Sequence, residues 1–135
     1  MRRLFADTFF YIALLSRGDE SHQRALSIYQ AEDFDQIVTT AFVLTELADG
    51  MADEWSRQEC ARFIEYLRQS DETAIIEASA PLYWKGFDLY SRRPDKEWSL
   101  TDCISFVVMS DERLNEALTG DRHFEQAGFT ALLGK

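Results

Sequence analysis

The sequence predicts an α/β fold, with helices packed on a mostly parallel five-stranded sheet. Three observations carry that expectation. Short apolar runs of strand length alternate with helical apolar patterns along the whole chain. Acidic residues stand where several strands hand over to helices. The chain has 135 residues, 46% of them hydrophobic, which suits one packed core, so residues 1–135 read as a single domain.

Residues 2–6 (RRLFA) read as the first strand; Asp7 and Thr8 end it and FFYIALL begins a helix. After Arg17, Gly18 and Asp19, the segment SHQRALSIYQAE reads as a second helix with Ser21 near its cap. Residues 36–39 (QIVT) form the second strand, and AFVLTELADGM a third helix interrupted near Gly50. In the fourth helix, EWSRQECARFIEYLRQ, the residues Trp55, Cys60, Phe63, Ile64 and Leu67 supply an apolar stripe. TAIIEA is the third strand, expected at an edge. Ser79 caps a fifth helix with Pro81 in its first turn. SRRPDKEWS is the one long loop. From Thr101 a sixth helix runs through CISFVVM, apolar almost all round and therefore buried. NEALT is a fourth strand, DRHFEQA a short seventh helix and TALL a last strand. There is no internal repeat, low-complexity tract or interdomain linker.

Several function classes are excluded early. The 2 cysteines, Cys60 and Cys103, build neither a disulfide framework nor a zinc spacing and suit a reducing cytoplasm. Arg2 and Arg3 before an apolar run imitate a signal peptide, but Asp7 interrupts the run and no small-residue cleavage site follows. No segment approaches the roughly 18 apolar residues of a membrane span, so a cytoplasmic protein without membrane contact is expected. No G-x-G-x-x-G or Walker loop occurs. Phe9 stands where a haloacid-dehalogenase-type phosphatase needs a second Asp. Net charge is -10, which opposes a broadly nucleic-acid-binding surface. Such contact has to use local cations, the densest being Arg92, Arg93 and Lys96 before Asp102, joined by Arg122.

Four acids in separate segments remain: Asp7 in LFADTFFYIALL, Glu46 in TTAFVLTELADG, Asp102 in SLTDCISFVVM and Asp121 in ALTGDRHFEQAGF. Asp7 and Asp121 follow strands and Asp102 opens a helix, so all three also read as helix caps or acids favoured by the helix dipole. Glu46 lies inside a helix at the margin of its core face, where it also reads as an ordinary exposed acid. Ligands of parallel sheets bind outside the carboxyl ends of the strands. Carboxylates meeting there at about 5 Å repel by roughly 3 kcal/mol per pair at an effective dielectric of about 20. Such a group holds protons or a cation, and all-oxygen ligation favours Mg²⁺ or Mn²⁺. Metal held this way suits phosphodiester hydrolysis. His22 reads as a solvated helix residue, His123 as a residue at the pocket edge, Glu125 as a reserve ligand, and Glu77 as an acid on an edge strand away from the site.

With DTFFYIALLSRGDESHQRA, TELADG, SLTDCISF and TGDRHFEQAGF in this order, the chain resembles PIN-domain proteins over essentially its whole length, and most of all the toxin-like VapC branch. The resemblance implies a three-layer α/β/α fold and a metal-dependent endoribonuclease using Mg²⁺ or Mn²⁺. Asp7, Glu46, Asp102 and Asp121 match the acidic quartet, with Thr8 and Ser105 as polar neighbours that hydrogen-bond around it. It further implies an RNA substrate, a small antitoxin laid in an apolar groove, and a homodimer through the third and fourth helices. Two alternatives stay open: a PIN nuclease of routine RNA maturation or decay, and a PIN-like scaffold that binds without cutting.

Overall fold

The structure is a computed structural model that describes residues 1–134. Five strands, β1 (Arg3–Ala6), β2 (Gln36–Thr40), β3 (Thr73–Ile76), β4 (Glu116–Leu118) and β5 (Thr130–Ala131), form one sheet in the order β3-β2-β1-β4-β5. Every neighbouring pair is parallel. In β2, Ile37, Val38, Thr39 and Thr40 are all buried in succession. Successive side chains of a strand point to opposite faces, so both faces of the sheet are covered.

The covering helices are α1 (Thr8–Leu15), α2 (His22–Ala31), α3 (Ala41–Gly50), α4 (Glu54–Gln69), α5 (Ala80–Arg92), α6 (Leu100–Asp111) and α7 (Arg122–Gln126). Their starts are chemically marked. The Thr40 hydroxyl accepts from the Val43 amide, Asp53 from Trp55 and Ser56, and Ser79 from Leu82. Among the described residues no helix is long and apolar enough to cross a membrane.

The chain departs from the sequence reading in detail. Trp55 is 88% exposed and contributes nothing to the core, because it lies in the first turn of α4, beyond the contact with the sheet; Cys60 and Leu67 carry the burial instead. The expected loop SRRPDKEWS loses its first two residues to α5. The strand expected over TALL is regular only for Thr130–Ala131, yet Leu132 and Leu133 still donate to the Ala117 and Thr119 carbonyls at 2.9 Å.

The topology decides where a ligand can sit. From β1 the chain moves outward through β2 and β3, then returns to the other side of β1 for β4 and β5. The strand order therefore reverses between β1 and β4, and a crevice opens at the carboxyl ends of that pair. The opening of α6 is held near it by a close contact with α5. A Cβ built on Gly86 would overlap the Ile104 side chain and lie 3.1 Å from its Cα. Gly86→Ala should therefore lower stability by about 1–3 kcal/mol, measured by urea unfolding; an unchanged midpoint would show that α5 and α6 are free to separate.

Candidate active site

Asp7 is the last residue before α1 and the first after the central strand. Its backbone is extended (φ -98, ψ 167) and its side chain makes no cap hydrogen bond, so the usual occupation of a helix-start Asp is not exercised. The carboxyl is buried, 4% exposed, and its Oδ2 accepts from the Thr119 hydroxyl at 3.1 Å. Burial pushes its pKa from the usual 3.8 up to about 7, helped by the charge of Asp102 and to a lesser degree by Glu46; the Thr8 backbone amide and Thr119 oppose the rise.

Asp102 is the third residue of α6 and half of a capping box. Its amide donates to Ser99 Oγ at 3.0 Å, and its Oδ2 accepts the Ser99 amide at 3.2 Å. The same oxygen lies 3.1 Å from His123 Nδ1. Burial raises the pKa of this carboxyl too, with repulsion from Asp121 in the same direction. Cys103, next along the helix, is pushed up to about 11 by burial and by Asp102, which leaves its thiol an inert core group.

Asp121 caps α7 through Oδ1, which accepts the His123 amide at 2.9 Å and lies 3.4 Å from His123 Nδ1. Its own amide donates to Thr119 Oγ1 at 3.1 Å. The Thr119 hydroxyl thus joins the end of β4 to the carboxyl at the end of β1. Asp102, Asp121 and His123 offer ligand atoms that all lie within 4.8 Å of one another. Among the described residues the hydrogen bonds to Asp102 reach only Oδ2 and those to Asp121 only Oδ1, which leaves one oxygen of each uncommitted.

The sequence-expected residues therefore divide. Asp102 and Asp121 come together with His123, and Asp7, linked to Asp121 through Thr119, lies near enough to Asp102 for their charges to repel. Glu46 projects from α3 as an exposed residue close enough for its charge to act on Asp7. Thr8 is buried with its hydroxyl unpartnered, while the Ser105 hydroxyl donates back along its helix to the Thr101 carbonyl at 3.0 Å and not to a carboxylate. Thr119 does the work expected of Ser105. His22 Nδ1 lies 2.8 Å from the Ala13 carbonyl and ties α2 to α1. Glu77 follows the edge strand β3 and is exposed, as is Glu125. Arg92 pairs with Asp88 and Arg93 with Asp95, whereas Lys96 and Arg122 have no ion-pair partner among the described residues. Trp98 is buried, stacked edge-on against Phe106 and bonded through Nε1 to Gln126, so it packs the loop down.

Two residues gain importance over the sequence reading, Thr119 and His123. Both belong to the T-G-D-R-H segment, where the residues two before and two after Asp121 flank the same carboxylate. That spacing was the available signal.

The donor set fits a hard divalent cation. It combines several carboxylates, one of them dry and held by neighbours in an environment that disfavours its free charge. The sign of the pH effect follows. A carboxyl raised from 3.8 to about 7 contributes stability that is complete below pH 3.8 and is lost as pH rises through about 7. In chelator, Asp7→Asn should remove that loss, so that it gains on wild type by on the order of a few kcal/mol between about pH 4 and pH 7. Urea unfolding across this range checks it; parallel curves for the two proteins would refute it.

A family model for the PIN domain matches residues 4–130. The 23S rRNA-specific endonuclease VapC20 of Mycobacterium tuberculosis is 26% identical over 126 residues, 93% of this chain and 95% of that protein. The crystal structure of Mycobacterium tuberculosis VapC20, described as a Sarcin-Ricin loop cleaving toxin, superposes with a TM-score of 0.84 over the same shares of both chains. FitAcB from Neisseria gonorrhoeae, at 19% identity over 95% of this chain and 94% of the other, has a TM-score of 0.66. VapBC2 from Rickettsia felis, at 14% identity over 96% of each chain, also has a TM-score of 0.66, and these two show the fold alone. The sheet order, the acids at its switch point and the match over 4–130 agree: the chain belongs to the PIN-domain family.

Proposed function

We propose that this chain is a single-domain, metal-dependent endoribonuclease, the toxin of a type II toxin–antitoxin pair. The observation that supports the reading is the gathering of Asp102, Asp121 and His123 within 4.8 Å, with buried Asp7 joined to Asp121 through Thr119 at the carboxyl ends of β1 and β4. The activity stated for the 26% identical relative, which this chain matches along nearly its full length, supports it.

Asp7, Asp102 and Asp121 would hold the cation, with Glu46 reaching it directly or through water, and the ion is Mg²⁺ or Mn²⁺. When bound, the ion supplies an activated water and neutralises the approaching phosphate. The protein's own part is positional. Ser99 and His123 hold the Asp102 carboxylate, and Thr119 holds Asp7 and Asp121 in one frame. RNA would approach along the end of α5 and the following loop. There Arg92, Arg93 and Lys96 outnumber Asp95 within residues 92–96 of an otherwise acidic chain, while Lys85, earlier on α5, is paired with Asp111. Lys96 and Arg122, which are not spent on ion pairs, are the first candidates for phosphate contact. A small antitoxin and a second copy of the chain are the proposed protein partners. The exposed aromatics Trp55, Trp84, Phe87 and Tyr90 are the kind of uncovered apolar surface that such partners bury.

Ribosomal RNA, the substrate named for the relative, is the first to test. Asp102→Asn should reduce cleavage in Mg²⁺ or Mn²⁺ by roughly 100-fold or more with the fold retained by circular dichroism. Wild-type turnover in that variant, or no cleavage of any RNA by the wild type, would overturn the proposal. With an uncleavable RNA, Lys96→Ala and Arg122→Ala should each weaken binding and lower the salt slope by about 1. An unchanged slope would place the RNA elsewhere.

A further inference from the structure

We infer that His123 belongs to the cation site as a nitrogen ligand, and that the site for this reason takes a first-row transition ion such as Mn²⁺ in preference to Mg²⁺. The inference rests on the cation-site reading above and adds a ligand outside the acidic quartet.

The geometry carries it. His123 Nδ1 is 3.1 Å from Asp102 Oδ2 and 3.4 Å from Asp121 Oδ1. Neighbouring ligands on an ion held at about 2.1–2.2 Å lie roughly 3 Å apart. Nδ1 therefore stands in the same spatial relation to two carboxylate oxygens as adjacent ligands of one cation. An imidazole lone pair aimed at two carboxylates is repelled by both, so either Nδ1 carries a hydrogen and donates to Asp102 or a cation lies among the three atoms. A proton serves in the hydrogen-bonded arrangement, and a metal ion serves all three groups at once.

His123 is also fixed in place. Its backbone amide is bound to Asp121 Oδ1 at 2.9 Å, and the next residue, Phe124, is fully buried against Phe106 and Phe5. The backbone from which the ring projects is therefore fixed beside the carboxylates, and Nδ1 meets them at 3.1 and 3.4 Å. Imidazole discriminates between the two ions: carboxylates alone serve Mg²⁺ and Mn²⁺ alike, while a nitrogen ligand suits first-row transition ions and is a poor ligand for Mg²⁺.

The test uses the full chain with Mn²⁺ and Mg²⁺ as probes, and two readouts other than turnover. Pulsed electron paramagnetic resonance of bound Mn²⁺ should show ¹⁴N modulation in the wild type and none in His123→Gln. Followed by thermal unfolding, the wild type should half-saturate at Mn²⁺ concentrations at least about tenfold below those of Mg²⁺, and in His123→Gln the two should converge. Bound Mn²⁺ without nitrogen modulation in the wild type overturns the inference, and so does an unchanged ratio in the variant; either result leaves His123 as a hydrogen-bond partner that positions Asp102. The wild-type spectrum alone decides even if the variant folds poorly. Absence of Mn²⁺ binding also overturns it, and RNA cleavage by the same preparation then shows whether the proposed function falls with it. Nitrogen-free Mn²⁺ with RNA still cut defeats only the role of His123.

Discussion

The constraint on which the rest of the molecule depends is the presence of like charges in a crevice with little water to screen them. Asp7 is 4% exposed and Asp102 is 8% exposed, and each raises the cost of ionising its neighbourhood. A fold does not gain stability from such an arrangement: a buried carboxylate without a cation is a standing cost. It persists because the surrounding structure over-determines it. The Asp7 backbone amide is tied to the Leu118 carbonyl, and its carboxyl is tied to the hydroxyl of Thr119. Turning the Asp7 side chain to solvent would cost the Thr119 hydrogen bond, and turning that of Asp102 would break the capping box with Ser99. Stability is surrendered at the place where a divalent ion would return it, as expected of sites that serve function before folding.

Around that seam the parts are held by short-range chemistry. The Ser99–Asp102 capping box sets the first turn of α6, and the tight contact of Gly86 with Ile104 sets the distance of that helix from α5. Thr40 caps α3 and so fixes the phase on which Glu46 emerges. Phe124, buried on Phe106 and Phe5, sets α7 and with it Asp121 and His123. The carboxylates thus come from separate elements, and each element is anchored by a contact of its own near the site. Loosening the Phe124 anchor would move Asp121 and His123 together, whereas the capping box acts on Asp102.

Much of this was readable in the amino-acid order, for a physical reason. Strand and helix repeat with different periods, and a residue at a strand end has one location in a parallel sheet. Asp7 and Asp121 could therefore be placed together without coordinates, and Glu77, at the end of the edge strand β3, could be set apart. What depends on rotamer and phase was less accessible. Ser105 and Thr119 are both buried hydroxyls, but a serine inside a helix can satisfy itself on the carbonyl four residues back, whereas Thr119 lies beyond its strand and bonds across to Asp7. Trp55 matched the apolar period of α4, yet an aromatic in the first turn of a helix falls outside the stripe when the helix meets the sheet farther along. His123 was legible as a neighbour of the site but not as a participant, since one residue separates it from Asp121 and only the turn at the start of α7 folds it back.

The acidic composition sharpens the question of how such a chain could meet a polyanion. A net charge of -10 describes the whole surface, but screening at physiological salt confines interactions to about 8 Å. The distribution of charge along the chain matters more than the total. Acids in the crevice are the ones a cation would neutralise. The segment 92–96, which precedes Asp102 in the chain, carries three cations against one acid, and Lys96 and Arg122 stand without ion-pair partners among the described residues. Arg93 is committed twice, to Asp95 and to the face of Trp98 at 5.1 Å, and so stiffens the loop more than it attracts phosphate. The acids elsewhere would repel RNA from the rest of the surface. A nucleic acid would then meet attraction at one edge of the molecule, where the carboxylates are gathered, and repulsion around it. On this argument the charge of the chain favours selectivity over affinity, in which a weak but correctly placed electrostatic contact is sufficient.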